Sequence, residues 1–251
     1  MADGYGLTLM SFATPPHTEV RPGARDGDEA LRPSATLTAS AITKTWGKSG
    51  SPVLHGVDLE VSTGACVWVG GRNGAGKTTL LRIIAGLIRP DSGTISLSGL
   101  DPDRDRQAFQ RRMGFLSGGN TGLYARLSGR QHLDYWSRLA MMRGPERKPA
   151  IDRAVSDFGL SEFASRRVDR LSLGQRQRVR LAMAFLHEPD LVLLDEPSTS
   201  LDDDGMALLT GTLSRHRERG GMTVWCSPSP DQEGLAFDGK HEIRDARLQP
   251  A

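Results

Sequence analysis

The chain has 251 residues, 37% of them apolar, which suits one domain of moderate size with a packed core. Its 32 basic and 30 acidic residues leave a net charge of +2, too balanced for charge alone to argue for nucleic acid. No apolar run approaches the roughly 20 residues needed to cross a bilayer and the start lacks a signal-peptide pattern, so a soluble, cytosolic protein is expected, with Cys66 and Cys226 as buried free thiols and no metal-ligand cluster.

Residues 1–34 carry Pro15, Pro16 and the charged, breaker-rich stretch 21–28, and read as a flexible N-terminal extension to a domain spanning 35–251. From Leu37, alternation through Ala39 and Ala41, then through Val57, Leu59 and Val61, predicts two amphipathic strands that bury one side. The run 65–69 is continuously apolar, as expected of a strand covered on both faces of a parallel sheet.

Directly after it stands Gly71-Arg72-Asn73-Gly74-Ala75-Gly76-Lys77-Thr78, which fits the phosphate-binding pattern G-x-x-x-x-G-K-[ST]. The glycines carry no β-carbon, so the chain can curl and point successive N–H groups at phosphate oxygens. Lys77 adds a mobile charge for the β- and γ-phosphates, the hydroxyl of Thr78 suits magnesium, and Thr79 follows. Helical apolar spacing from Lys77 onward places the phosphates at a helix N-terminus, where free N–H groups and the macrodipole favour anions. The implied ligand is a nucleoside triphosphate with magnesium.

Further along, Asp91-Ser92-Gly93 reads as a turn before the alternating run 94–97. Ser128 is placed to cap a helix to about 142, Pro145 breaks it, and 149–158 forms another, so a helical insert of about 115–172 is expected. A helix over about 173–187, a strand over 191–194, a helix near 206–217 and a strand over 222–226 follow. Strands alternating with helices imply an α/β fold with a mostly parallel core sheet, ligand chemistry at the strand carboxyl ends, and an antiparallel β region on the N-terminal side.

Asp195 and Glu196 emerge at the end of the apolar strand 191–194. In a phosphate-loop NTPase this is the place of a magnesium-directed Asp, and Glu196 would then face the γ-phosphate to orient or activate water. Leu171-Ser172-Leu173-Gly174-Gln175 opens the next helix, with Ser172 near its N-cap, a second anion-binding helix end. The stripe Arg176, Arg178 and Arg180 reads as a solvated or phosphate-adjacent helix face.

Phosphate loop, helical insert, L-S-x-G-Q, acidic strand end and Ser200-Leu201-Asp202, in that order, resemble the ATP-binding cassette family over about 35–245. The resemblance implies ATP and magnesium as cofactors, bound through residues 71–79, with Trp46 stacked on adenine. It also implies a second cassette whose Ser172, Gly174, Gln175 and Asp202 close over the nucleotide. Further implications are integral membrane partner chains that meet the helical insert, no nucleic acid, and a location on the inner face of the plasma membrane.

Two positions depart from the family pattern: Gly118 stands about where a Gln touching magnesium and water is usual, with Asn120 a candidate substitute. Ser229 stands where a His contacts the γ-phosphate. The run Gly122-Leu123-Tyr124 is similar to bacterial export-type cassettes, so an exporter motor with intact ATP binding and slow hydrolysis is expected. The rival readings are a cassette acting in DNA repair or on the ribosome, and a regulatory subunit that does not hydrolyse.

Overall fold

A computed structural model of the chain describes residues 36–47, 50–119, 121–230 and 234–251; the extension expected over 1–34, and Asn120, lie outside these. Two sheets organise the described part. Strands β1 (Thr36–Thr45), β2 (Pro52–Ser62) and β4 (Ser92–Leu97) form an antiparallel sheet in the order β2-β1-β4. Leu37, Ala39, Val57, Leu59 and Val61 are buried on its inner face, the alternation expected of a half-covered sheet.

The alternation breaks where the sequence promised a third inward residue, Ala41. A bulge between Ala39 and Ile42 gives Ala41 a φ of 51° and exposes it, its N–H bonds Asp58 Oδ1 at 2.8 Å, and Ile42 enters the core instead.

The second sheet has the order β5-β6-β7-β3-β8-β9. Its members are β3 (Cys66–Gly70), β5 (Met113–Leu116), β6 (Leu191–Asp195), β7 (Met222–Cys226), β8 (Gly239–Arg244) and β9 (Arg247–Pro250). All its pairings are parallel except β8 with β9.

The central strands are buried on both faces, and their two-residue period deals side chains to two cores. Val67, Val69, Leu191, Leu193, Met222 and Val224 meet helix α1 (Lys77–Ile84) and the inner face of the antiparallel sheet. Trp68, Val192, Leu194 and Trp225 meet the opposite layer, drawn from α3 (Gly129–Leu139), α4 (Gly144–Asp157), α5 (Leu173–Phe185) and α6 (Asp203–Glu218).

Local signals account for most helix starts. Ser128 and Ser172 each accept a bond from the N–H three residues on, while the side chains of Gln131 and Gln175 each accept one from the serine N–H, forming capping boxes for α3 and α5. Asp202 caps α6 by accepting from the Gly205 N–H. Pro145 does not act as a breaker between helices: it lies in the first turn of α4, where its missing N–H costs nothing, and Pro149 is carried inside that helix. The helix α2 (Arg106–Arg111) and the strands β8 and β9 were not expected from the sequence.

Candidate functional site

The parallel register carries the carboxyl ends of β5, β6, β7 and β3 to one edge of the sheet. Each continues into a segment singled out from sequence: Ser117 and Gly118 after β5, Asp195 and Glu196 at β6, residues 227–229 after β7, and the loop 71–76 after β3.

The loop fits a phosphate chain. Gly71, Gly74 and Gly76 have φ values of 136°, 81° and 112°, conformations that side chains rarely adopt. Gly76 also has no room for a side chain: a β-carbon there would lie 2.9 Å from the Val53 carbonyl oxygen. Helix α1 starts at Lys77 with no side-chain cap, so its first N–H groups face the loop. Lys77 is buried, and its Nζ donates to the carbonyls of Gly71 at 2.7 Å and Arg72 at 3.2 Å. Arg72, Asn73 and Gly74 are exposed on the loop's crest, Ala75 and Thr79 half-buried.

Thr78 Oγ1 donates to Asp195 Oδ2 at 2.7 Å, joining the loop's end to the acidic strand end across 117 residues of sequence. Two neighbouring oxygens, one a carboxylate, suit a hard cation that completes its shell with phosphate and water, so the residues fit magnesium. Among the described residues there is no group of three or more His, Cys, Asp or Glu placed to hold a metal ion. Glu196 follows with φ of 51°, unusual for a side chain of its size, and its N–H bonds the Cys226 carbonyl at 2.8 Å. That bond fixes the turn on which the carboxylate stands.

Ser172 and Gln175 engage each other in the capping box, and a β-carbon at Gly174 would meet the Ser200 carbonyl oxygen at 2.8 Å. Among the described residues no hydrogen bond joins residues 171–175 to the loop 71–78. Asp202 caps α6 and accepts from Arg178 at 2.6 Å. Ser229 is exposed, and its carbonyl accepts from Ser227 Oγ at 2.5 Å, while Ser227 accepts from the buried Trp68 Nε1 at 2.9 Å. Trp46 is 55% exposed beyond β1, with the Lys44 ammonium 5.3 Å from its ring centroid. Burial pushes the Cys66 thiol up to about 12 and the Cys226 thiol well above its usual range, so neither is a nucleophile here.

The arginine stripe is not a solvated face. Residues two apart on a helix point to different sides, and the three arginines have separate fates. Arg176 bonds the Val168 and Asp169 carbonyls, Arg178 pairs with Asp202, and Arg180 is buried against Ser117 and Gln177. Of the stripe, only Arg180 lies beside the site, as the phosphate-adjacent alternative allowed; sequence reasoning missed its burial, and missed Gln177, Trp68 and Ser227 as neighbours of the site. A cation in the middle of an apolar helical run was the available signal for Arg180.

An edge of parallel strands carrying a phosphate loop, an acidic pair and a separately capped L-S-x-G-Q helix defines a phosphate-loop nucleotide-binding domain. Comparison with known proteins narrows this: the family model described as ABC transporter matches residues 54–199, and the chain belongs to that family, of which it carries the ATP-binding domain.

The chain is 42% identical over 149 residues to "ABC transporter ATP-binding protein NatA" of Bacillus subtilis (strain 168), covering 59% of this chain and 61% of that one. It is 38% identical over 178 residues to "Cytochrome c biogenesis ATP-binding export protein CcmA 1" of Salmonella paratyphi A (strain ATCC 9150 / SARB42), covering 71% and 83%. The chain thus spans less than two thirds of the NatA sequence it matches. Among solved structures, a dimeric ATP-binding cassette in a post-hydrolysis state with ADP and phosphate matches with a TM-score of 0.71 at 24% identity, covering 85% of this chain and 98% of that one. The last match establishes the fold alone.

Proposed function

We propose that the chain is the ATP-binding and ATP-hydrolysing motor subunit of a bacterial export-type transporter, acting through separate membrane-spanning partner chains. The observation that carries this reading is the bond from Thr78 Oγ1 to Asp195 Oδ2, which sets a metal-suited oxygen pair between the phosphate loop and the turn of Glu196. Residues 71–79 bind the triphosphate, and Trp46 stacks on the base. Thr78 and Asp195 would hold magnesium, which would supply positive charge against the phosphates.

Glu196 accepts a proton from the attacking water, held in place by its fixed backbone bond, and Lys77 stays on the phosphates. Ser229 donates a hydrogen bond toward the γ-phosphate but supplies no positive charge. Gly118 supplies no side chain at all. Hydrolysis at this site is therefore slow, while ATP binding is intact.

The helix end formed by Ser172, Gly174 and Gln175, with Asp202, serves a nucleotide held by a second cassette, in a homodimer or beside a more complete partner. The helical subdomain of about 115–172 meets the membrane chains, and residues 35–251 form the cassette. The chain sits as a peripheral subunit at the inner face of the plasma membrane; among the described residues no helix is long and apolar enough to span a bilayer. The name of the CcmA relative and the Gly122-Leu123-Tyr124 run favour export.

Affinity purification from detergent-solubilised membranes tests the reading. Recovery of an integral membrane protein with the tagged chain is expected; recovery of ribosomes or nucleic acid in its place contradicts it.

A further inference from the structure

The carboxylate of Asp195 is approached by a loop that brings only backbone. The Gly118 N–H donates to Asp195 Oδ2 at 3.2 Å, and a β-carbon at 118 would lie 2.9 Å from that oxygen and 3.3 Å from Cγ. Close approach, rather than an unusual φ, is what glycine permits here. A glutamine at this position would have to displace either the loop or the carboxylate.

One residue earlier the loop is held from α5. The Arg180 guanidinium donates to the Ser117 carbonyl and reaches the Ser117 hydroxyl at 3.4 Å. It also donates to Gln177 Oε1 at 2.7 Å, and Gln177 Nε2 donates to the Pro197 carbonyl at 2.9 Å. One buried cation thus braces both the loop after β5 and the turn that carries Glu196. Burial lowers the pKa of Arg180, while the nearby Asp195 charge raises it. A buried guanidinium must have its donors satisfied, and Ser117 and Gln177 provide those acceptors.

We propose that Arg180 is a positioning residue for Asp195: it fixes Ser117 so that the Gly118 N–H occupies one side of Oδ2 and keeps the carboxylate aimed at Thr78. Without the brace the loop withdraws, and Asp195 gains orientations that no longer face the phosphate loop. The arrangement supplies from α5 and the backbone the ordering that a side chain at 118 does not. This inference rests on the reading of Asp195 as the metal carboxylate.

The test uses Mn2+ as the probe. Its affinity for the purified full chain loaded with a non-hydrolysable ATP analogue is read by electron paramagnetic resonance, beside affinity for the analogue in EDTA. Asp195→Asn controls the underlying reading: loss of protein-bound Mn2+ is required, and retention overturns both that reading and this one. Given that loss, Arg180→Met is expected to weaken Mn2+ about tenfold, the usual scale for a group that orients a metal ligand, with affinity in EDTA unchanged.

Arg180→Lys, which keeps the charge but cannot span Ser117 and Gln177, is expected to weaken Mn2+ by a smaller factor. Gly118→Ala, which pushes the same contact apart from the loop side, is expected to weaken it as well. Wild-type Mn2+ affinity in Arg180→Met, with Asp195→Asn having lost it, overturns the proposal and leaves the reading of Asp195 standing. Should Arg180→Met lose analogue binding in EDTA and so prove misfolded, the lysine and alanine variants decide by the same criterion.

Discussion

Under the proposed function, Lys77 and Glu196 divide binding from chemistry at the level of single residues. The Lys77 ammonium lies inside the loop, held by two carbonyls that a triphosphate would outcompete as partners for a full positive charge. Lys77→Ala is expected to weaken ATP at least about tenfold, the equivalent of one charged hydrogen bond, in titrations with a fluorescent analogue. Glu196→Gln keeps shape and removes the base, so binding is expected to hold while turnover falls about a hundredfold or more.

Ser229→His tests the opposite direction: restoring a group that can carry charge is expected to raise turnover about ten- to a hundredfold. An unchanged rate in that variant shows that the serine is not what limits hydrolysis. The signs of these roles were legible as residue types at the ends of apolar runs. Arg180 was not, because a charged residue in a helix reads as surface until its neighbours in space are known.

At the scale of elements, the site is flanked by two packed cores. Leu80 and Leu81 of α1 are fully buried against the central strands, so the loop is anchored at its far end in the core. Leu80→Ala is expected to cost about 2–5 kcal/mol in denaturant unfolding through the cavity it leaves.

On the helical side, buried His132 accepts from the Tyr124 N–H through Nε2 at 2.7 Å, and its Nδ1 meets the Ser128 carbonyl at 2.8 Å, a pattern that requires the neutral ring. Burial lowers its pKa from 6.5, and burial also lowers that of His187, whose Nε2 meets the Met113 carbonyl. A lowered histidine pKa means the unfolded chain takes up protons first. The associated stability is whole above pH 6.5 and is lost as pH falls through the lowered values. Melting temperatures across that range are expected to drop toward acid, and His132→Gln is expected to flatten part of the slope. A flat profile in the native chain contradicts this account.

Element types followed from period and capping where the pattern was long: the buried strands beside the phosphate loop, and the helices begun by Ser128 and Ser172. The bulge at Ala41 and the place of Pro145 inside α4 depend on pairing register and helix position, which composition does not encode. Strands β8 and β9 are short and largely polar, with Ile243 in the core and Leu248 packed against it, so alternation gave them no signal.

At the scale of the whole molecule, the sheet order decides what meets what. Adjacent parallel strands deliver Gly118, Asp195 and residues 227–229 to one edge, and α1 reaches across to place Thr78 on Asp195. The L-S-x-G-Q helix end stands apart, engaged in its own capping box and lying close to the Ser200 carbonyl, and under the proposed function it serves a second nucleotide rather than this one. ATP is accordingly expected to drive association of the chain, and Glu196→Gln to accumulate the associated form, as seen by sedimentation velocity with and without Mg2+. A chain that stays monomeric at saturating ATP, with every candidate partner cassette present, contradicts the shared-site reading.

Motifs in order were enough to foresee the family and the parallel core. The resemblance already implied that Gly118 and Asp195 lie near one magnesium, but the direct backbone bond between them, brought about across 77 residues of sequence by β5 pairing with β6, was not readable from residue types.

Steady-state ATPase of the purified chain, alone and beside Glu196→Gln, tests the central claim most directly. The account predicts saturable ATP binding in both, slow turnover in the native chain, and turnover at background in the variant. Native turnover that survives unchanged in Glu196→Gln would contradict it.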